Sequence, residues 1–170
     1  GSDDERVILI NSFSKTFAMT GWRIGYIMSA NKEAMAQMIK LQYYITACSN
    51  DAMQYVVLAA FENANDYPDE MCAEFKARRD LICRRLNAMP GVQCHVPEGA
   101  FYVFPKVEVP GMSSEEVAIE LLKGGVLCSP GSAFGQSGEG HLRFAYTISR
   151  DDISRGMDKT EAVLKRLRGE

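Results

Sequence analysis

A lysine flanked by hydroxyls is the first group in this chain equipped for covalent chemistry. Lys15 follows Ser12 and Ser14 in Asn11-Ser-Phe-Ser-Lys15, and Arg23 returns eight residues later. A lysine amine in its neutral form is a nucleophile for an aldehyde. A guanidinium offers a planar donor fork matched to phosphate. Side by side, these groups suit a covalently attached partner that also carries an anion. The bland alternative is an exposed strand-end lysine among ordinary hydroxyls, so the elements that carry these residues decide how much the pattern means.

Those elements read as two strands around a turn. Val7-Ile8-Leu9-Ile10 is an apolar run bounded by polar residues, the signature of a short buried strand. It ends at the lysine motif. The chain turns apolar again around Gly21 and Gly25, as if a second strand starts at Trp22. A rival chemistry uses the same residues: Ser12-Phe-Ser-Lys15 fits the S-x-x-K acyl-transfer signature, with Ser12 as nucleophile. That class also needs S-D-N and K-T-G elements. Here Ser49-Asn50-Asp51 has the wrong order and Lys15-Thr16-Phe17 stands in place of K-T-G, which argues against it. A glycine-rich stretch, Gly131 to Gly140, lacks the P-loop pattern and leads into a strand where a P-loop would open a helix.

The stretch Asn11 to Tyr26 strongly resembles the cofactor-lysine segment of fold-type I, class I/II aminotransferases of the aspartate aminotransferase-like kind. The shared pattern is Ser-x-Ser-Lys, a short loop, then Gly-x-Arg-x-Gly, standing here as Ser12, Ser14, Lys15, Gly21, Arg23 and Gly25. The resemblance implies that Lys15 forms the Schiff base with pyridoxal 5'-phosphate. It also implies that Ser12, Ser14 and Arg23 lie at the cofactor, with Ser12 and Arg23 gripping its phosphate. A second segment extends the match. Arg143 lies in His141-Leu-Arg-Phe-Ala-Tyr146, after Pro130-Gly-Ser-Ala-Phe-Gly135, where the family has an arginine for the substrate carboxylate. A bidentate fork suits that carboxylate. Gly99 and Phe101 match a segment lining the same cleft, although a turn and a core strand explain them equally well. His95 and His141 read as structural or solvated.

The implied reaction is transamination between an L-amino acid, aspartate or similar, and a 2-oxo acid. The implied parent enzyme is a homodimer. Carbon–sulfur lyases and aminocyclopropane-forming enzymes share these motifs, and an inert structural or dimerisation segment is the reading from a different class. In the family the lysine lies well past the middle of a chain more than twice this long. Gly1-Ser2 resembles the scar of a cleaved tag. The expectation is therefore the C-terminal part of the fold, whose acidic partner for the pyridine nitrogen comes from residues outside this chain.

Composition agrees with an ordinary soluble protein. The 170 residues are 24% charged and 46% hydrophobic with a net charge of −3, which gives no support for a nucleic-acid partner. The arginines at 78, 79, 84 and 85 read as a solvated basic face. Five cysteines without a CxxC pair and two histidines argue against a metal site and for free thiols in a reducing, cytoplasmic compartment. No apolar run reaches membrane-spanning length.

Taken in order, the chain predicts a helix capped by Asn31 to about Ile45 and another boxed by Asp51 and Gln54. A third, long helix runs from about Pro68 to Ala88. Short strands follow at Val92–Val96 and Gly99–Phe104, then a helix boxed by Ser113 and Glu116. Strands at Val126–Cys128 and Leu142–Thr147 and a final helix after Ser149 complete it. The expected class is α/β with an α+β small domain: residues 1–2 a tag remnant, 3–64 the end of a cofactor-binding large domain, and 65–170 the small domain.

Overall fold

The computed structural model describes residues 3–64 and 66–169. The chain divides into two compact units, one up to Met71 and the other from Cys72, so the division falls inside helix α4 (Tyr67–Asn87).

The first unit begins with an antiparallel ribbon. Strand β1 (Ile8–Ser12) pairs with β2 (Gly25–Ser29), in register from Ile8↔Ser29 to Ser12↔Gly25. Between them lie the one-turn helix α1 (Phe13–Thr16) and a 3-10 turn, Thr20–Trp22. That turn displaces the expected strand start from Trp22 to Gly25, because Arg23 adopts left-handed backbone angles (φ 53°, ψ 51°) that no strand continues. Gly25 is required where the strands meet: a Cβ there would stand 2.5 Å from the Asn11 carbonyl oxygen. The run expected to be a buried strand is exposed along its whole length, with Ile10 at 74%. A two-stranded ribbon has no further strand or second sheet layer on it among the described residues, so its apolar pattern is not matched by burial.

Helix α2 (Lys32–Thr46) starts at Asn31, whose side chain accepts from the Ala34 amide. Helix α3 (Asp51–Asn63) is capped by Asn50, one residue before the expected Asp51; Asn50 accepts from the Met53 amide, and Gln54 donates to the Ser49 carbonyl. No described residue of α2 is buried, while α3 buries Val57 against Phe13 and Ile24.

The second unit holds the main core. Helix α4, from Cys72 on, α5 (Ser114–Lys123) and α6 (Arg150–Arg168) pack with small antiparallel sheets. In one sheet β3 (Val92–Gln93) pairs with β5 (Lys106–Val107); in the other the order is β4 (Tyr102–Val103), β7 (Leu142–Ala145), β6 (Ser129–Pro130). Leu86, Val103, Leu121, Leu142 and Leu164 are each at most 1% exposed. Along α6 the buried positions Ile153, Met157, Thr160, Val163 and Leu164 recur at helical spacing. The capping box expected at Ser113 and Glu116 is complete. The strand expected at Val126–Cys128 is not: pairing begins at Ser129, and Leu127 is 82% exposed. Of the four arginines read as a solvated face, Arg84 is exposed and the other three are half-buried and paired. Arg78 pairs with Glu74 at 2.7 Å, Arg79 with Asp80 at 2.8 Å and Arg85 with Asp158 at 2.5 Å.

All five thiols are free. Among the described residues no helix is long and apolar enough to cross a membrane, and no cluster of His, Cys, Asp and Glu could hold a metal ion.

Candidate active site

The ribbon gathers three of the polar residues singled out in the sequence. Ser12 ends β1 and caps α1, its Oγ accepting from the Ser14 amide at 3.1 Å. The two hydroxyls are 2.8 Å apart, and Ser12 Oγ lies 3.4 Å from the Ile24 carbonyl oxygen. Since Ser12 pairs with Gly25, the antiparallel register returns Arg23 to the same end of the ribbon. Arg23 Nη1 donates to the Thr20 carbonyl at 2.8 Å, which fixes the side chain while engaging one of its five donors. Lys15 sits in the last turn of α1 and is exposed.

What holds this turn is aromatic packing. Phe13 is 6% exposed; its ring meets Phe61 of α3 edge-on at 5.4 Å and Tyr26 of β2 at 5.5 Å. Phe17 meets Phe61 at 5.7 Å. Thus α3 clamps the segment on either side of Lys15. Asn11 braces the strand end, accepting from the Ser12 amide at 2.8 Å and donating to the Tyr26 hydroxyl at 3.2 Å. A cavity of about 690 Å³ opens beside the ribbon, with Asn11, Arg23, Tyr26, Met35, Met38 and Gln42 in its wall. Lys15, Ser12 and Ser14 are not among the residues lining it.

Arg143 lies in the second unit, on the outer face of β7. Side chains alternate along a strand: Leu142 and Phe144 point into the core, while Arg143 points the other way. Across the ladder, Val103 is buried and Tyr102 shares the outer face with Arg143. The Arg143 guanidinium carbon is 4.5 Å from the Tyr102 ring centre and 4.4 Å from that of Phe134. Among the described residues, Ser129 Oγ, at 3.4 Å, is the one hydrogen-bond acceptor that the guanidinium meets.

The glycine-rich stretch forms two 3-10 turns, Gly131–Phe134 and Gln136–Gly138. A Cβ on Gly131 would collide with the Gly138 carbonyl oxygen, and one on Gly138 with that of Gly131, so these positions have no room for a side chain. Glu139 anchors the stretch to α5, accepting from the Ser114 amide at 2.6 Å and its hydroxyl at 3.0 Å. Those bonds, the Ser114 amide foremost, together with the Gly140 amide, hold the Glu139 carboxyl below its ordinary range. His141 stacks on Phe104 at 5.1 Å with the rings within 7° of parallel, and Phe104 meets Phe134 edge-on at 5.9 Å. Phe101 is half-buried against the core, and Gly99 is exposed, with open space where a side chain would stand.

The sequence reading missed the two aromatic faces on Arg143. Alternation in Tyr102-Val-Phe104 and His141-Leu-Arg143 carried half of that signal; the approach of Phe134 depends on the fold of the glycine-rich turns. The donor set at the ribbon end, two hydroxyls and a braced guanidinium beside an exposed lysine, fits a cofactor that carries both an aldehyde and a phosphate.

Comparison with known proteins places the chain in a family. The sequence model of the family described as aminotransferase class I and II matches residues 1–159. Aromatic-amino-acid aminotransferase 2 of Thermococcus litoralis is 40% identical over 164 residues, covering 95% of this chain and 42% of that protein. A probable aspartate aminotransferase of Methanocaldococcus jannaschii is 44% identical over 158 residues, 90% of this chain and 41% of that one. The crystal structure of an aromatic aminotransferase from Pyrococcus horikoshii superposes with a TM-score of 0.87 at 39% identity, over 95% of this chain and 44% of that chain. The chain thus spans less than half the length of the relatives it matches, and it belongs to the class I and II aminotransferases.

Proposed function

We propose that this chain supplies the attachment lysine, the phosphate grip and a carboxylate anchor for transamination with pyridoxal 5'-phosphate between an L-amino acid, aspartate or similar, and a 2-oxo acid. The observation that carries the reading is the convergence of Ser12, Ser14 and Arg23 at one end of the ribbon, with Lys15 on the next turn, in a chain of this family. Relatives named for aspartate and for aromatic amino acids support the reaction class and differ in substrate.

Bound pyridoxal phosphate supplies an electron sink for the substrate carbon next to the reacting nitrogen. The chain's own residues do the rest. Lys15 Nζ would hold the cofactor and would take up and return the proton at that carbon. Ser12 and Arg23 would hold the phosphate with charge-assisted bonds, with Ser14 beside them at the cofactor. Arg143 orients the substrate carboxylate. Residues 3–64 act as the end of a cofactor-binding large domain and 65–170 as a small domain, within a cytoplasmic homodimeric parent enzyme. An electron sink works poorly without an acid at the pyridine nitrogen, and the family resemblance assigns that acid to residues outside this chain. Alone, the chain is expected to bind the cofactor weakly and turn over little.

Borohydride reduction in the presence of pyridoxal phosphate, followed by peptide mapping, tests the reading. Label on Lys15, absent from Lys15→Arg, is the expected result. A folded chain with Lys15 unlabelled would overturn it and favour an inert fragment.

A further inference from the structure

We propose that Tyr102 and Phe134 are positioning residues for Arg143: both rings pack against its guanidinium and leave the edge donors for a carboxylate. The inference rests on the reading of Arg143 as the carboxylate anchor and adds what makes that anchor selective and ready.

The geometry is specific. The guanidinium carbon stands 4.5 Å from one ring centre and 4.4 Å from the other, well inside the range of attraction between a cation and an aromatic face. The rings come from different places. Tyr102 shares the outer face of the sheet with Arg143 by strand register, and Phe134 arrives from the first 3-10 turn of the glycine-rich stretch. Phe134 is in turn braced edge-on by Phe104, which stacks on His141. The only hydrogen bond to the guanidinium among the described residues is the long one to Ser129 Oγ. Stacking therefore holds this side chain more than hydrogen bonding does.

That arrangement suits recognition of an anion at the guanidinium edge. An arginine has many rotamers, and freezing them on binding costs affinity. Contact with two rings holds the guanidinium beforehand without using the in-plane N–H groups through which a carboxylate binds in bidentate fashion. A hydrogen-bonded brace would have to occupy some of those same donors. The Phe134 ring, 51% exposed, is consistent with a residue kept for this contact, since it adds little to the core.

The test uses this chain, with 2-oxoglutarate as the probe and the Arg143 Nε–Hε resonance as the reporter. In the parent chain that resonance is expected to be displaced upfield by the ring currents and to move on titration. Phe134→Leu and Tyr102→Leu each keep apolar volume and lose the ring. Each is expected to shift the resonance downfield and weaken binding about tenfold, while Phe134→Tyr and Tyr102→Phe bind like the parent. Leucine variants that bind within about twofold of the parent would overturn the proposal, as would aromatic variants as weak as the leucine ones. Arg143→Gln separates the two claims. If it abolishes binding while Phe134→Leu and Tyr102→Leu do not weaken it, only the positioning role fails. If it binds like the parent, or if the parent chain shows no binding at all, the anchor reading fails and the positioning role with it.

Discussion

At the scale of single residues, burial separates the thiols sharply. Cys83 and Cys94 sit in the core at 2% and 7% exposure with their sulfurs 3.8 Å apart. Burial, together with Cys83 beside it, pushes the Cys94 thiol up to about 12, and burial raises Cys83 as well. Burial alone pushes Cys128 to about 11. The thiolate is the reactive form, so at pH 8 a thiol-exchange reagent is expected to titrate the exposed Cys48 and Cys72 rapidly. Cys83 and Cys94 should react only after denaturant is added. Four rapidly reacting thiols in the folded chain would contradict this picture of the core.

At the scale of elements, the glycine-rich stretch depends on one carboxylate. Glu139 has its pKa lowered by the Ser114 amide, the Gly140 amide and the Ser114 hydroxyl, in that order. A carboxyl with a depressed folded pKa adds stability above its unfolded value of about 4.3 and loses it as the pH falls through the folded value. Glu139→Gln is therefore expected to lower the thermal midpoint at pH 7. The difference from the parent should be smaller at pH 3, followed by circular dichroism. A gap of equal size at both values would assign the effect to packing. The caps show why some elements were legible in the sequence. Asn31, Ser113 and Ser149 each act on an amide three residues on, so the signal lies within one turn. The cap of α3 was misplaced by a residue because Asn50 and Asp51 are both good capping types. The start of β2 could not be read from apolar pattern, since the left-handed Arg23 interrupts it. The ribbon's lysine, hydroxyls and arginine lie in one contiguous motif of the sequence, whereas the rings around Arg143 come from separate segments and depend on tertiary register.

At the scale of the whole molecule, apolar residues fall into two populations. Leu121 is completely buried in the core of the second unit, whereas Ile39 on α2 is 66% exposed. Leu121→Ala is expected to cost about 2–5 kcal/mol, and Ile39→Ala to stay within about 0.5 kcal/mol. Urea titrations of both variants check this; equal effects would mean that the exposure of α2 is not its state in solution. The ribbon of β1 and β2 has a further consequence, one of colloid chemistry. Each of its strands leaves an outer row of backbone groups unpaired among the described residues, and Val7–Ile10 carries no charge and no proline. Such an edge is a template for strand addition by another copy. The second virial coefficient of the chain is therefore expected to be negative at moderate salt. One stretch of sequence thus bears on both solubility and the proposed chemistry, and Ile10→Lys is expected to reduce precipitation while leaving the hydroxyl pair in place.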